Sequence, residues 1–283
     1  MEKLKKMQIP KLNLPKILMP KLKEKGKIQK NSQYKKENQI IAVWGSPSSG
    51  KTVTSVKIAK ELAARKKNVI VVFDDVFCPS IPVFFPTLEK KEQSIGKVLT
   101  SPNIDQEVIL ENCITPIKNN SYIAFLGYMK GENSLTYAEY TKERVVDLLI
   151  LMRHLADYIV IDCSSIITES ILTICSLEIA DKVIRLSTAD FKGISYFQSV
   201  LPLLIDQRFQ LDNHLKVVSN VKDYQAQDTI NSAIKGNGIY LQHIDEIERQ
   251  YTEGCLFNDL NSKEGKDYER IIKEIIQEVI SIE

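Results

Sequence analysis

Gly45-Ser46-Pro47-Ser48-Ser49-Gly50-Lys51-Thr52 follows directly on the apolar run Ile40-Ile41-Ala42-Val43-Trp44, and the two together decide the fold. The octet satisfies the phosphate-gripping pattern G-x-x-x-x-G-K-[ST] at every fixed position. Glycine is needed at the turn because the backbone must curl tightly and bring its N–H groups close to phosphate oxygens, where a Cβ would obstruct. The pattern from Lys51 to Arg65 reads as a helix whose positive end faces the same anion. A strand, this loop and a helix in succession predict a nucleoside triphosphate as ligand. Gly45, Ser46, Pro47, Ser48, Ser49 and Gly50 form the cradle, Lys51 reaches the β and γ phosphates, and Thr52 offers its hydroxyl to Mg²⁺.

Working outward, apolar strand patterns recur at Ile40 to Trp44, Val69 to Phe73, Tyr122 to Leu126, Tyr158 to Ile161, Val183 to Leu186 and Leu215 to Ser219, with a weaker one at Ile239 to Leu241. Helical patterns fall between them at Lys51 to Arg65, Asp105 to Cys113, Thr141 to Leu155, Glu169 to Ala180, Ile194 to Ile205 and Gln225 to Ile234, and a long one closes the chain over Lys263 to Ile282. Strands apolar on both faces and separated by helices predict an α/β fold: a doubly wound, mostly parallel sheet with helices on both sides. Ligands in such sheets sit at the carboxyl ends of the strands.

The 283 residues are 43% hydrophobic, enough for one large domain, expected over 39–283. Residues 1–38 read differently. They hold twelve lysines against three glutamates, a net of +9 in a chain whose formal total is +2, with Pro-Lys repeating at Pro10, Pro15 and Pro20. Prolines at that spacing forbid a continuous helix, so a basic, extended or disordered N-terminal arm is expected. Its lysines suit loose attachment to an anionic membrane surface, nonspecific contact with DNA, an acidic protein partner, or no partner at all. Five scattered cysteines without metal-like spacing, and no apolar stretch long enough to span a bilayer, point to a cytoplasmic protein that can sit peripherally on the inner face of the membrane.

Further carboxylates gather at the same predicted sheet edge. The second strand ends in Asp74-Asp75, and Asp75 is the favoured residue to orient an attacking water. The fourth strand delivers Asp162, matching an apolar strand whose terminal Asp holds Mg²⁺ through its water shell. The sixth ends in Ser219-Asn220, where an amide can pair with the edge of a base. Ser164 and Ser165 lack the surroundings of a nucleophile elbow and read as a phosphate-sensing loop. The three histidines share no motif and read as structural.

This ordered set, together with Ala180-Asp181-Lys182-Val183-Ile184, resembles the ParA/MinD group of P-loop ATPases over residues 39 to 283. Within that group, Asp75 to Ser80 and the segment Ala180 to Ile184 are most similar to the CpaE/TadZ-type pilus-assembly proteins. The resemblance implies an ATP-dependent homodimer, slow hydrolysis, and a protein partner in a localisation or assembly system. It puts Lys51, Asp75 and Asp162 in catalytic places, Thr52 and Asp162 at Mg²⁺, and Asn220 against adenine. One position departs: the group's usual second lysine, just after the first glycine, is here Ser46. Hydrolysis is therefore expected to be weak or partner-stimulated. A DNA-partitioning ATPase is the alternative reading. A small-molecule kinase is a poorer one, because such enzymes gather arginines around the transferred phosphate and the seven here are scattered.

Overall fold

The computed structural model describes residues 39–86, 88, 93–115, 122–225 and 238–280. Strands β1 (Gln39–Gly45), β2 (Val69–Phe73), β3 (Ile123–Gly127), β4 (Tyr158–Asp162), β5 (Lys182–Thr188), β6 (Leu215–Val221) and β7 (Ile239–Gln242) form one sheet in the order β3-β2-β4-β1-β5-β6-β7. Every strand pairing in it is parallel.

Helices cover both faces, as a parallel sheet requires. They are α1 (Lys51–Ala64), α2 (Ile81–Phe84), α3 (Ile95–Thr100), α4 (Gln106–Asn112), α5 (Lys142–Met152), α6 (Ile171–Ile179), α7 (Phe191–Val200), α8 (Asp245–Thr252) and α9 (Lys263–Val279). Side chains alternate across each strand, so each of β1 to β5 feeds two cores. Ile41 and Val43 of β1 join Val69, Val71 and Phe73 of β2 beneath α1, α2, α8 and α9. Ile40, Ala42 and Trp44 join Ile70 and Val72 beneath α3 to α7.

All seven expected strands are present, the weak last one included. Among the helices, the one expected over Ile194 to Ile205 starts earlier, at Phe191, because Asp190 caps it by accepting from Gly193 N at 2.8 Å. It also ends earlier: Pro202 has no N–H to continue the ladder, and a short 3₁₀ turn takes over at Leu201–Leu204. Helices α2, α3 and α8 were not legible in advance. The helix expected from Gln225 falls, from residue 226 on, outside the described residues, as do residues 1–38 and the expectations placed on them.

The chain therefore places β1 between β4 and β5 at the centre of the sheet. The loops after β1, β2, β4, β5 and β6 all emerge at one edge. No helix among the described residues is long and apolar enough to cross a membrane.

Candidate active site

The loop after β1 meets its neighbours at contact distance. A Cβ on Gly45 would lie 2.0 Å from Leu186 O of β5, so glycine is obligatory there. Ser48 and Gly50 both adopt left-handed backbone, φ 59° and 72°, which folds the loop into a concave run of amides. Gly50 then occupies the N-cap of α1. No side chain caps that helix and no acid stands in its first turn, so its free N–H groups are available to an anion. Ser219 Oγ braces the loop from β6 through a hydrogen bond to Ser49 O.

The Lys51 ammonium is half-enclosed and its pKa is lowered by burial, against the opposing pull of Asp162 and Asp75. It donates to Ser165 Oγ at 2.5 Å and to Ser46 O at 3.3 Å. Ser165 in turn donates to Gly45 O at 2.9 Å. The loop after β4 thus touches both the lysine and the phosphate loop, the position expected of a segment that senses phosphate.

Thr52 Oγ1 donates to Asp162 Oδ2 at 2.6 Å. Asp162 is 4% exposed, and its Oδ1 has no hydrogen-bond partner among the described residues. Burial pushes this carboxyl up to about 7, although Lys51 and the Thr52 hydroxyl favour its ionised form. A buried carboxylate oxygen without a partner, beside a threonine hydroxyl at a phosphate cradle, is what a hydrated divalent cation needs. The residues present fit Mg²⁺.

The two acids after β2 separate cleanly. Asp74 is buried under the site, where it accepts hydrogen bonds from the hydroxyls of Ser170 and Thr173 at the start of α6. Burial raises it to about 6. Asp75 is half-buried and lines the cleft. Its Oδ1 accepts from Phe77 N and Cys78 N, at 3.0 and 2.8 Å, a local turn that holds the carboxylate in place. Of the pair, Asp75 is the one that can meet a water.

From the phosphate loop a cleft of about 670 Å³ runs past Asp75 to Asn220 and on to Leu241, His243, Ile247 and Tyr251. Residues Gly50, Lys51, Thr52, Asp75 and Asn220 therefore share one cavity, with Asp162 directly behind Thr52. Ser46 turns away from it: the side chain is 1% exposed and its Oγ accepts from Thr188 N at 3.1 Å. Three sequence expectations on other residues are extended by the structure. His214 is structural, with Nε2 at 2.7 Å from Phe209 O and its pKa lowered to about 4 by burial. His243 instead lines the cleft. All five cysteines are free, and Cys113, Cys163 and Cys175 are buried.

Sequence reasoning missed the far wall. Lys57 of α1, 5% exposed, donates to Gln250 Oε1, Leu256 O and Asn258 O at 2.8, 2.9 and 3.1 Å. Burial lowers its pKa to about 8. This clamp fixes α8, and with it Ile247 and Tyr251, to the helix that carries the phosphate loop. A lysine on the inner side of α1, between Val56 and Ile58, was its one sequence signal.

A family model described as an AAA domain matches residues 38–217. The fold is similar to several solved structures. The MinD cell division protein of Aquifex aeolicus is 16% identical, with 87% of this chain and 99% of that one covered and a TM-score of 0.66. A ParA family ATPase from Chlorobium tepidum is 12% identical over 87% and 99%, with a TM-score of 0.68. The septum site-determining protein MinD of Pyrococcus horikoshii, complexed with Mg-ADP, is 12% identical over 84% and 95%, with a TM-score of 0.65. No curated protein matches the sequence.

Proposed function

The chain belongs to the AAA domain family and has the fold of the MinD and ParA ATPases, and from that premise we propose that it is an ATP-dependent, slowly hydrolysing switch that dimerises to position or assemble a partner machine of the pilus or secretion type. One observation carries this reading: Lys51, the Thr52–Asp162 pair and Asp75 converge on a cleft whose floor is the phosphate loop. The Mg-ADP of the Pyrococcus neighbour supports the same ligand here.

In this reading the amides of residues 45–52 and the Lys51 ammonium bind the polyphosphate. The Lys51 ammonium has a third N–H to offer the phosphates, and its bond to Ser165 couples the loop after β4 to the ligand. Thr52, through its hydroxyl, and Asp162, through bound water, are the residues that would hold Mg²⁺, whose charge would neutralise the transferred phosphate. Asp75 orients the attacking water and Asn220 contacts the base. Ser46, packed against β5, offers no second ammonium to a partner's nucleotide, so hydrolysis is slow or stimulated from outside. Exposed Phe77, Ile166 and Phe191 follow β2, β4 and β5 at the rim of this edge and supply apolar surface for self-association in the triphosphate state.

The lysines of residues 1–38, which lie outside the described residues, supply charge for contact with a membrane surface or DNA. Light scattering of the full chain with Mg-ATP, Mg-ADP and the Lys51→Ala variant tests the switch. A dimer with Mg-ATP alone is expected, and the same mass under all three conditions overturns it. Retention on duplex DNA without sedimentation on anionic liposomes would move the assignment to the DNA-partitioning alternative.

A further inference from the structure

Tyr251 carries, on the wall of the cleft, a hydroxyl that the fold itself does not use. It lies in the last turn of α8 and is 45% exposed, while Ile247 and Gln250 of the same helix are buried. It lines the same cavity as Gly50, Lys51, Thr52, Asp75 and Cys78. No hydrogen bond engages its hydroxyl among the described residues.

The charges around the phenol tell which part of the cavity it occupies. Burial raises its pKa, and Cys78, Asp162 and Asp75 raise it further. The same two carboxylates act on the Lys51 ammonium from the other side. Fields of partly exposed groups are screened within about 10 Å, so phenol and ammonium share one neighbourhood, that of Asp75 and Asp162. The helix is seated there. Gln250, the residue before, accepts from Lys57 Nζ at 2.8 Å and donates from Nε2 to Asp259 O at 3.0 Å. Just past the helix, Gly254 presses on Pro86, where a Cβ would come within 2.8 Å of the proline ring. Tyr251 is thus held both to the helix that carries the phosphate loop and to the segment that follows Asp75.

A polyphosphate in this cavity has need of such a donor. Residues 45–52 contain a single cation, Lys51, and Ser46 is turned onto β5. A triphosphate whose inner phosphates rest on the loop amides carries its last phosphate towards Asp75, the side on which the phenol stands. A phenol O–H donates, and bonds to charged oxygens are the strong ones.

We propose that Tyr251 distinguishes a nucleoside triphosphate from a diphosphate: its hydroxyl donates to the terminal phosphate across the cleft from Lys51. The proposal rests on the nucleotide-binding reading above and deepens it.

Calorimetry of the full chain with Mg²⁺ and either ADP or the non-hydrolysable AMPPNP tests it. The unmodified protein is expected to bind AMPPNP at least about tenfold tighter than ADP. Tyr251→Phe keeps the ring and removes only the hydroxyl, so it should weaken AMPPNP by about tenfold, the scale of one hydrogen bond to a charged acceptor, and leave ADP within about twofold. A ring that merely packs would leave both affinities unchanged in Tyr251→Phe, and a contact elsewhere on the nucleotide would weaken both alike; either result overturns the proposal. Equal affinity for the two ligands in the unmodified chain overturns it without any variant. If Tyr251→Phe does not fold, Tyr251→Leu takes its place with the same expected loss of preference. Binding of neither nucleotide by the unmodified chain would instead remove the nucleotide reading itself, and is thus distinguishable from a failure of the role given to Tyr251.

Discussion

The phosphate-loop end of the cleft and the Asn220 end, proposed above to take the base and called the base end, are built on opposite principles. At the phosphate end, one stretch of eight consecutive residues carries the loop, the ammonium and the hydroxyl, and its Ser46 and Ser49, like Asp162 behind it, are buried. At the base end, Asn220, His243 and Glu248 come from three separate elements and are partly or wholly exposed. The phosphate end is rigid because its backbone is committed: a glycine pressed on β5, two left-handed residues and a helix start. The base end holds its shape through side-chain bonds and the Lys57 clamp. Affinity should therefore reside mainly at the first end, and selectivity at the second.

The contrast is exposed to measurement. Lys51→Ala removes several charge-assisted bonds at once, and Mg-ATP affinity is expected to fall on the order of a thousandfold, about 4 kcal/mol; a tenfold loss in calorimetry would mean that the phosphate end does not dominate. The buried hub comes next. Burial raises the folded Asp74 carboxyl from 3.8 to about 6, so the native chain binds more protons than the unfolded one between those values. Its contribution to stability is complete below about pH 4 and is lost as the pH rises through 6, a change on the order of 3 kcal/mol. Asp74→Asn should lack that decline, as urea unfolding of both proteins at pH 4.5 and pH 7 would reveal.

Ser46→Ala strips Thr188 N of its acceptor and should cost about 1 kcal/mol in chemical denaturation while leaving nucleotide affinity within about twofold. A large loss of affinity would place Ser46 in the cradle after all. At the base end, Asn220→Ala is expected to weaken Mg-ATP binding only about threefold, the low end of what one neutral hydrogen bond is worth, since the exposed amide bonds water when no base is there. A hundredfold loss there would reverse the ranking of the two ends.

The same division governs what could be read in advance. Each strand is a short apolar run, and the five strands β1 to β5 feed both cores, so apolar patterning located all seven. The gathering of Asp75, Asp162 and Asn220 at one edge was legible because a parallel α/β sheet sends every strand's carboxyl end to the same side. Asp75 was favoured over its neighbour Asp74 in the sequence, but the physical separation comes from the hydroxyls of Ser170 and Thr173, almost a hundred residues away, which hold Asp74 out of the cleft. Helix α8 escaped because its apolar stripe is short and most of its residues are charged or polar: Ile247 and Gln250 are the buried ones. Local sequence thus determined the phosphate cradle, since a backbone turn and a helix start are set by neighbours in the chain. Tertiary structure decided the base wall, the inward turn of Ser46 and the Lys57 clamp, since each depends on a partner acceptor or donor that the chain brings close only once the sheet has closed.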